Sequence, residues 1–244
     1  MIKVTYIDHM GDDLSVVNAA RVSFGKKSKM HCVDHTLGTY VLPDIDIRLI
    51  QYLARHKHMS PFGHAFASFH VKAPMFVARQ LVKHKFLRWN EISRRYVDDD
   101  LEFYLPDNWR EKAKDKKQGS GSGFVNTLLQ DDREDYPEDK SYMADYWEVN
   151  TSRYVEDNVY GPAFSVYVEM LNAGVCPEQA RMVLPQSMMT EWYWSGSLDA
   201  WSDMCLLRCA SDTQEETQYV ASKISLKMHE LFPHSWDALA KGRH

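Results

Sequence analysis

The chain has 244 residues, 44% hydrophobic and 26% charged, ordinary globular values that exclude a disordered or fibrous class and allow one large domain or two small ones. The formal net charge of −5 argues against a general nucleic-acid binder, whose footprint is basic, so any anion site has to be locally cationic. Met1 to Gly11 lacks the apolar core of a signal peptide, no run approaches membrane-spanning length, and four cysteines are too few for a disulfide scaffold, so a cytoplasmic address with no membrane partner is expected.

From Met1 to Asp8, Ile2, Val4 and Tyr6 alternate with polar neighbours, the two-residue period of a half-buried strand. Asp12 or Asp13 caps a helix through Ala20. Pro43-Asp44 starts another with Ile47, Ile50 and Ala54 at helical spacing, and Gly25 to Leu42 between them reads as loop. Ala65 to Lys72 alternates again as a strand. Pro74 then opens a helix to about His84 that would set Gln80, Lys83 and His84 on one face.

Between Lys112 and Gly123 a Lys-Asp-Lys-Lys-Gln run meets Gly-Ser-Gly-Ser-Gly, a composition that favours a flexible connection. With the acidic residues that follow, about 112–140 reads as an exposed excursion within a single domain, 1–244, a two-domain split there being the alternative. Val166 to Asn172 ends at Gly174, and Pro177 starts a short helix carrying Arg181. Thr190 to Ser195 is an aromatic, alternating strand, after which Ser197 caps a helix through Arg208. Thr213-Gln214-Glu215-Glu216 has the form of a capping box for a helix carrying Val220, Ile224, Met228 and Leu231. Cys205 and Cys209 stand one turn apart, but no further ligands gather near them, so they read as core packing and not as half of a metal site.

The segment Arg79 to Tyr96 holds seven cationic side chains, counting His84. Like charges packed so closely repel, and at an effective dielectric of roughly 20 a charge pair ~4 Å apart is worth ~4 kcal/mol, so an anion or a carboxylate cluster should compensate. The bland alternative is a solvated basic helix face. The order of residues speaks for more: Lys83-His84-Lys85, seven residues, Ser93, one residue and Arg95 resemble the Arg-His-Arg triplet, Ser and Arg of the flavin-dependent thymidylate synthases at identical spacing. Lysine replaces both outer arginines. The flanks Ala19 to Ser23, His58 to His64, Phe69 to Pro74 and Ala78 to Gln80 resemble that family too, as do Asn90-Glu91, Ala180 to Pro185 and Leu206 to Arg208.

The resemblance implies an α/β fold of the α+β type, a mainly antiparallel sheet with flanking helices, and assembly as a homotetramer. It implies methylene transfer from methylenetetrahydrofolate to dUMP, with reduced FAD as hydride donor and NADPH as its reductant. For the dUMP phosphate, guanidinium forks at Arg95 and Arg181 suit a dianion better than point charges do. The family match adds Gln80, Leu81, Val82 and Lys83, and Glu91, Ile92, Ser93 and Arg94. Ser93 is open to a nucleophilic role on uracil, but no base is visibly paired with it, which favours binding. Arg208 is assigned to stabilising the charge that develops on uracil as its N3 proton leaves. Independently, it falls on the helical stripe of Trp201, Met204 and Cys205, an odd place for a cation unless its stem snorkels past the core.

For FAD the match points to Lys83, His84 and Lys85 as phosphate partners, with Ser60 and Glu91 beside them and His58 close to the flavin or folate. Ser197, Asp199 and Asp203 occupy FAD positions where the family tends to carry amide or basic residues. Two rival expectations keep the basic segment: a flavoenzyme that modifies pyrimidine nucleotides differently, and a non-catalytic nucleotide- or RNA-binding protein.

Overall fold

In the computed structural model, residues 1–34, 36–93, 101–114, 119–131 and 146–241 are described. The alternation at the chain start becomes β1 (Lys3–Met10), followed by α1 (Asp13–Arg21), β2 (His31–Asp34), β3 (Thr39–Val41) and α2 (Asp44–Arg55). Next come β4 (Phe66–Pro74), α3 (Met75–Leu81), β5 (Leu87–Glu91), β6 (Arg110–Lys112), β7 (Ser120–Phe124), β8 (Thr127–Asp131) and β9 (Tyr146–Asn150). The order closes with α4 (Thr151–Val155), α5 (Gly161–Asn172), α6 (Pro177–Ala180), β10 (Met189–Ser197), α7 (Leu198–Arg208), α8 (Glu215–Leu231) and α9 (Pro233–Lys241). The chain divides into two compact units: Met1–Ala73 with Val77–Ile92 and Thr190–His244, and Pro74–Phe76 with Ser93–Met189.

The first unit is built on a four-stranded sheet in the order β1-β4-β10-β5, with β1 antiparallel to β4 and β10 antiparallel to β5. Period two sets its buried face: Ala67, Phe69, Val71 and Ala73 of β4 and Trp192 and Trp194 of β10 are all buried. Trp201 of α7 lies edge-on to Phe69 at 5.1 Å and to Trp194 at 4.9 Å between ring centroids, and its indole N–H donates to the Ala67 carbonyl at 3.1 Å. An aromatic side chain of this size contributes roughly 2–3 kcal/mol by leaving water. Trp89 of β5 stacks on Trp192 at 4.3 Å. Helix α8 buries Val220, Ile224 and Met228 at helical spacing, while Leu231 is only half-buried.

Caps and one ion pair fix the helices. Asp12 accepts from the Ser15 N–H at 2.8 Å and Ser15 Oγ accepts from the Asp12 N–H at 3.1 Å, a reciprocal box at the start of α1. The buried Asp13 instead reaches the far end of the chain, where its carboxylate accepts from the N–H groups of His234 and Ser235 at 3.0 and 2.9 Å and so caps α9. Arg21, last in α1, places Nε 3.0 Å from Oδ1 of the buried Asp46 in α2. Its terminal nitrogen and the Ser28 hydroxyl donate to the same oxygen. In β10, a Cβ on Gly196 would come within 2.4 Å of Leu87 Cδ2 and 3.0 Å of the Phe86 carbonyl, so the close approach of β5 requires glycine there.

In the second unit β6 pairs with β7 and β8 with β9, both antiparallel. Asn150 caps α4 by accepting from the Arg153 N–H at 3.1 Å, and Tyr160 donates its hydroxyl to the Tyr104 carbonyl at 2.7 Å. Helix α5 starts at Gly161, earlier than the pattern from Val166 implies, and stops as expected before Gly174, which is left-handed at φ +88°.

Two local expectations are corrected. Gly25 to Leu42 contains the β2–β3 hairpin, with His31 opposite Val41 and Cys32 opposite Tyr40, turned at the left-handed Gly38. The Gly-Ser run pairs as β7 on β6, where a Cβ on Gly121 would meet the Glu111 side chain at 2.5 Å, so the small residues serve close approach there. Leu87 to Glu91, beyond the helix expected from Pro74 to about His84, is strand β5. The rest of the predicted excursion, at 115–118 and 132–140, lies outside the described residues.

Candidate active site

Helix α3 stops at Leu81, so Lys83, His84 and Lys85 sit in the turn that leads to β5, and Lys83 and His84 do not share the helix face expected for them with Gln80. The turn is sharp enough that the exposed Phe86 takes φ +63°. A helix end leaves carbonyls without an intrahelical partner. One of these, on Gln80, accepts from a terminal nitrogen of Arg208 at 3.0 Å, while Arg208 Nε donates to His84 Nε2 at 2.9 Å. The last residue of α7 thus closes the C-terminal end of α3, a favourable place for a cation.

Both anchors of Arg208 are uncharged. His84 is half-buried, and its pKa is lowered from 6.5 to about 4, first by burial and then by the Arg208 charge. Neutral at physiological pH, the ring accepts at Nε2 and carries its proton on Nδ1. Among the described residues no carboxylate pairs with Arg208, so none of them neutralises its positive charge.

A folded-state pKa below the ordinary value means that the neutral ring is stabilised by folding. That stability is complete above pH 6.5 and is lost as pH falls toward 4, where the protonated ring no longer accepts from Arg208. We expect wild type to lose about 1–3 kcal/mol relative to a non-titrating His84→Asn variant across that window, solvent screening included. Urea midpoints measured at several pH values check it, and parallel curves would refute it.

The Gln80 side chain is gripped at both ends. Its Nε2 donates to Gln214 Oε1 at 2.6 Å and its Oε1 accepts from the Thr217 hydroxyl at 3.2 Å. This corrects the expected capping box. The N-cap of α8 is Gln214, without a side-chain capping bond, because that side chain is engaged by Gln80; Thr213 donates instead to the Leu207 carbonyl at 3.1 Å. Gln214 and Thr217 were not among the sequence-derived site residues. They reach Gln80 across 134 and 137 positions, a separation at which no local pattern operates.

Glu91 is oriented through both oxygens, accepting from the Thr190 hydroxyl at 2.7 Å and the Trp89 indole at 3.1 Å. Lys83, Lys85 and Val82 are exposed, Leu81 is fully buried, and Ile92 and Ser93 are half-buried. His58 and Ser60 are exposed after α2. There Lys57 is left-handed, and the N–H groups of Lys57 and His58 bond back to Ala54 and Leu53 at 3.1 and 2.9 Å, a helix-terminating motif that swings His58 toward Tyr52 and His56.

Ser197 is the N-cap of α7, Asp199 lies in its first turn and Asp203 is exposed on it. Asp199 Oδ1 is buried with no hydrogen-bond partner among the described residues. Arg181 begins a 3-10 turn after α6 and belongs, with Ser93, to the second unit. Arg94 and Arg95 lie outside the described residues.

A family model described as thymidylate synthase complementing protein matches residues 5–234. A flavin-dependent thymidylate synthase of Thermus thermophilus is 37% identical over 235 residues, 96% of this chain and 74% of the relative. The Thermosipho africanus protein of the same name is 35% identical, covering 96% and 89%. Among solved structures, the UMP/dUMP methylase PolB of Streptomyces cacaoi bound with 5-Br dUMP superposes with a TM-score of 0.72 at 28% identity, covering 98% of this chain and 94% of that one.

Proposed function

The chain belongs to the thymidylate synthase complementing protein family, the flavin-dependent thymidylate synthases, and from that membership we propose that it methylates dUMP to dTMP with Arg208 as the group that polarises uracil. The observation that carries this reading is the neutral anchoring of Arg208. A guanidinium held by an imidazole nitrogen and a carbonyl keeps its full charge for an incoming anion. A carboxylate partner would have cancelled it. Among the described residues two of its five N–H groups are engaged, by these anchors, and the others are open to a uracil carbonyl that gains negative charge as N3 loses its proton.

The residues fit a flavin dinucleotide. Exposed ammonium groups at Lys83 and Lys85 suit a pyrophosphate, and the buried, unpartnered Asp199 Oδ1 offers an acceptor to a hydroxyl or amine donor. In this reading Lys83, His84, Lys85, Ser60, Glu91, Ser197, Asp199 and Asp203 hold FAD, with His58 near its ring. When bound and reduced, FAD supplies the hydride that completes the methyl group, methylenetetrahydrofolate supplies the carbon and NADPH restores the flavin. Lysines at 83 and 85 keep the charge of the family's arginines but present single donors in place of forks. Glu91 is pinned by Trp89 and Thr190 and so offers a fixed acceptor.

We assign the dUMP phosphate to Arg95, Arg181 and Ser93, with Gln80, Leu81, Val82, Ile92 and Arg94 around the nucleotide. Replacing Ser93 by alanine is expected to weaken dUMP binding about tenfold, the worth of a hydrogen bond to a charged group, with saturated turnover nearly unchanged. Loss of turnover at intact dUMP affinity would instead make Ser93 a nucleophile.

The family match runs across both compact units, which supports treating 1–244 as one synthase domain. The free thiols of Cys176, Cys205 and Cys209 support work in the reducing cytoplasm. A homotetramer is the assembly proposed with it.

The test is direct. The purified protein should be yellow, its reduced flavin should oxidise in the absence of oxygen only when dUMP and methylenetetrahydrofolate are both present, and the nucleotide should exchange one hydrogen for a methyl group, read by its mass. Because the structural neighbour is described as a methylase of both UMP and dUMP, both nucleotides belong in the assay. Colourless protein, or a hydroxymethyl product, would overturn the proposal.

A further inference from the structure

The N-terminal turn of α8 takes no part in the reaction as derived so far, yet it holds the residue that holds Arg208. Gln214, the half-buried N-cap, accepts from Gln80 Nε2, and Thr217, fully buried one turn later, donates to Gln80 Oε1. Gln80 is one residue from the end of α3, and its carbonyl receives the Arg208 guanidinium. A side-chain amide bonded through both its nitrogen and its oxygen is fixed in rotation. The short end of α3 that carries it is fixed with it.

We propose that Gln214 and Thr217 are positioning residues of the synthase reaction, clamping the Gln80 amide so that the adjoining carbonyl aims the Arg208 guanidinium at uracil. The inference rests on the reading of Arg208 given above. Its physical content is directional. His84 fixes Arg208 at Nε and Gln80 fixes a terminal nitrogen, so the planar guanidinium is defined by two points, and releasing one lets it swing about the other. Misplacing a charge by about 1 Å relative to a reacting atom costs on the order of 10²-fold in rate, with little loss of ground-state binding. Gln214 makes no side-chain capping bond to α8, its amide oxygen accepting from Gln80 instead.

The experiment uses the full-length, flavin-loaded protein. Chemically reduced enzyme is mixed with dUMP and methylenetetrahydrofolate, and the single-turnover rate of flavin oxidation is compared with dUMP affinity read from the flavin spectrum. Thr217→Val and Gln214→Ala are expected to slow oxidation about tenfold or more while dUMP affinity stays within about threefold. Thr217→Ser and Gln214→Glu, which keep the donor and the acceptor, are expected to stay within about threefold of wild type in rate. Should Thr217→Val fail to fold, Gln214→Ala carries the comparison from a half-buried helix end.

Wild-type rates in Gln214→Ala and in any folded Thr217→Val overturn the proposal. So does a loss of rate matched by an equal loss of dUMP affinity, or Thr217→Ser as damaging as Thr217→Val. A wild-type chain that forms no dTMP overturns the functional reading itself, whereas active wild type and inactive Arg208→Ala beside fully active clamp variants overturn the clamp alone.

Discussion

Arg208→Ala is expected to lower turnover by about 10²–10³-fold while the protein keeps its flavin. Removing a donor aimed at developing charge costs about 3–4 kcal/mol of barrier when the site excludes water, and here the lost group also carries a charge that no described carboxylate offsets. Of the proposed FAD phosphate partners, Lys83 and Lys85 keep their charges, while His84 loses its hydrogen-bond partner. Arg208→Lys should recover little, because a single ammonium cannot span His84 Nε2 and the Gln80 carbonyl as the fork does. Flavin content read by absorbance, with dUMP-dependent flavin oxidation on the same sample, separates the two effects. A variant that turns over within about threefold of wild type removes Arg208 from the mechanism.

The second large effect concerns stability. Asp46 is a carboxylate with 2% of its side chain exposed, held by Arg21 with 19% exposed and by the Ser28 hydroxyl. Arg21→Ala leaves that charge buried with, among the described residues, the Ser28 hydroxyl as its remaining side-chain partner, and breaking such a pair from one side costs about 3–5 kcal/mol. For a chain of this size that corresponds to a fall in melting temperature of roughly 10 °C. Replacing both partners together, as in Arg21→Met with Asp46→Leu, is expected to restore much of the loss, because no unpaired charge remains. A melting temperature within about 2 °C of wild type for Arg21→Ala would mean that Asp46 is solvated after all.

Arg21 also illustrates how far residue order can be read. It stands in a stretch resembling family sequence, a resemblance that says nothing of its partner; the structure gives it a structural one. Elements whose signal is local are legible: the alternation of β4, the aspartate at the head of α1, the glycine after α5, and the stripe of α7 that carries Arg208 at its end. The cationic segment is legible too, through its spacing from Ser93, although the helix expected to carry Lys83 and His84 is a turn there.

What escapes the sequence is what long-range contact decides. Asp12 and Asp13 look like equivalent caps for α1, yet Asp12 caps it and Asp13 caps α9, more than two hundred positions away. Gln214 looks like the interior of a capping box, and its tie to Gln80 has no counterpart in any local window. Helix α3 ends before Lys83 although the residues beyond it are good helix formers, because Arg208 and the left-handed Phe86 close it there. That His84 is neutral follows from burial, which composition cannot supply.

The packing of four indoles has an optical consequence. Trp89 stacks on Trp192 at 4.3 Å, Trp194 stands 5.5 Å from Trp89, and Trp201 stands 4.9 Å from Trp194. Rings this close exchange excitation, so the four behave as one coupled chromophore with strong near-ultraviolet dichroism, and whatever quenches one darkens all. Trp89 is tied to Glu91, a proposed flavin contact, so cofactor loading is expected to quench this cluster, a change in tryptophan fluorescence readable without a label.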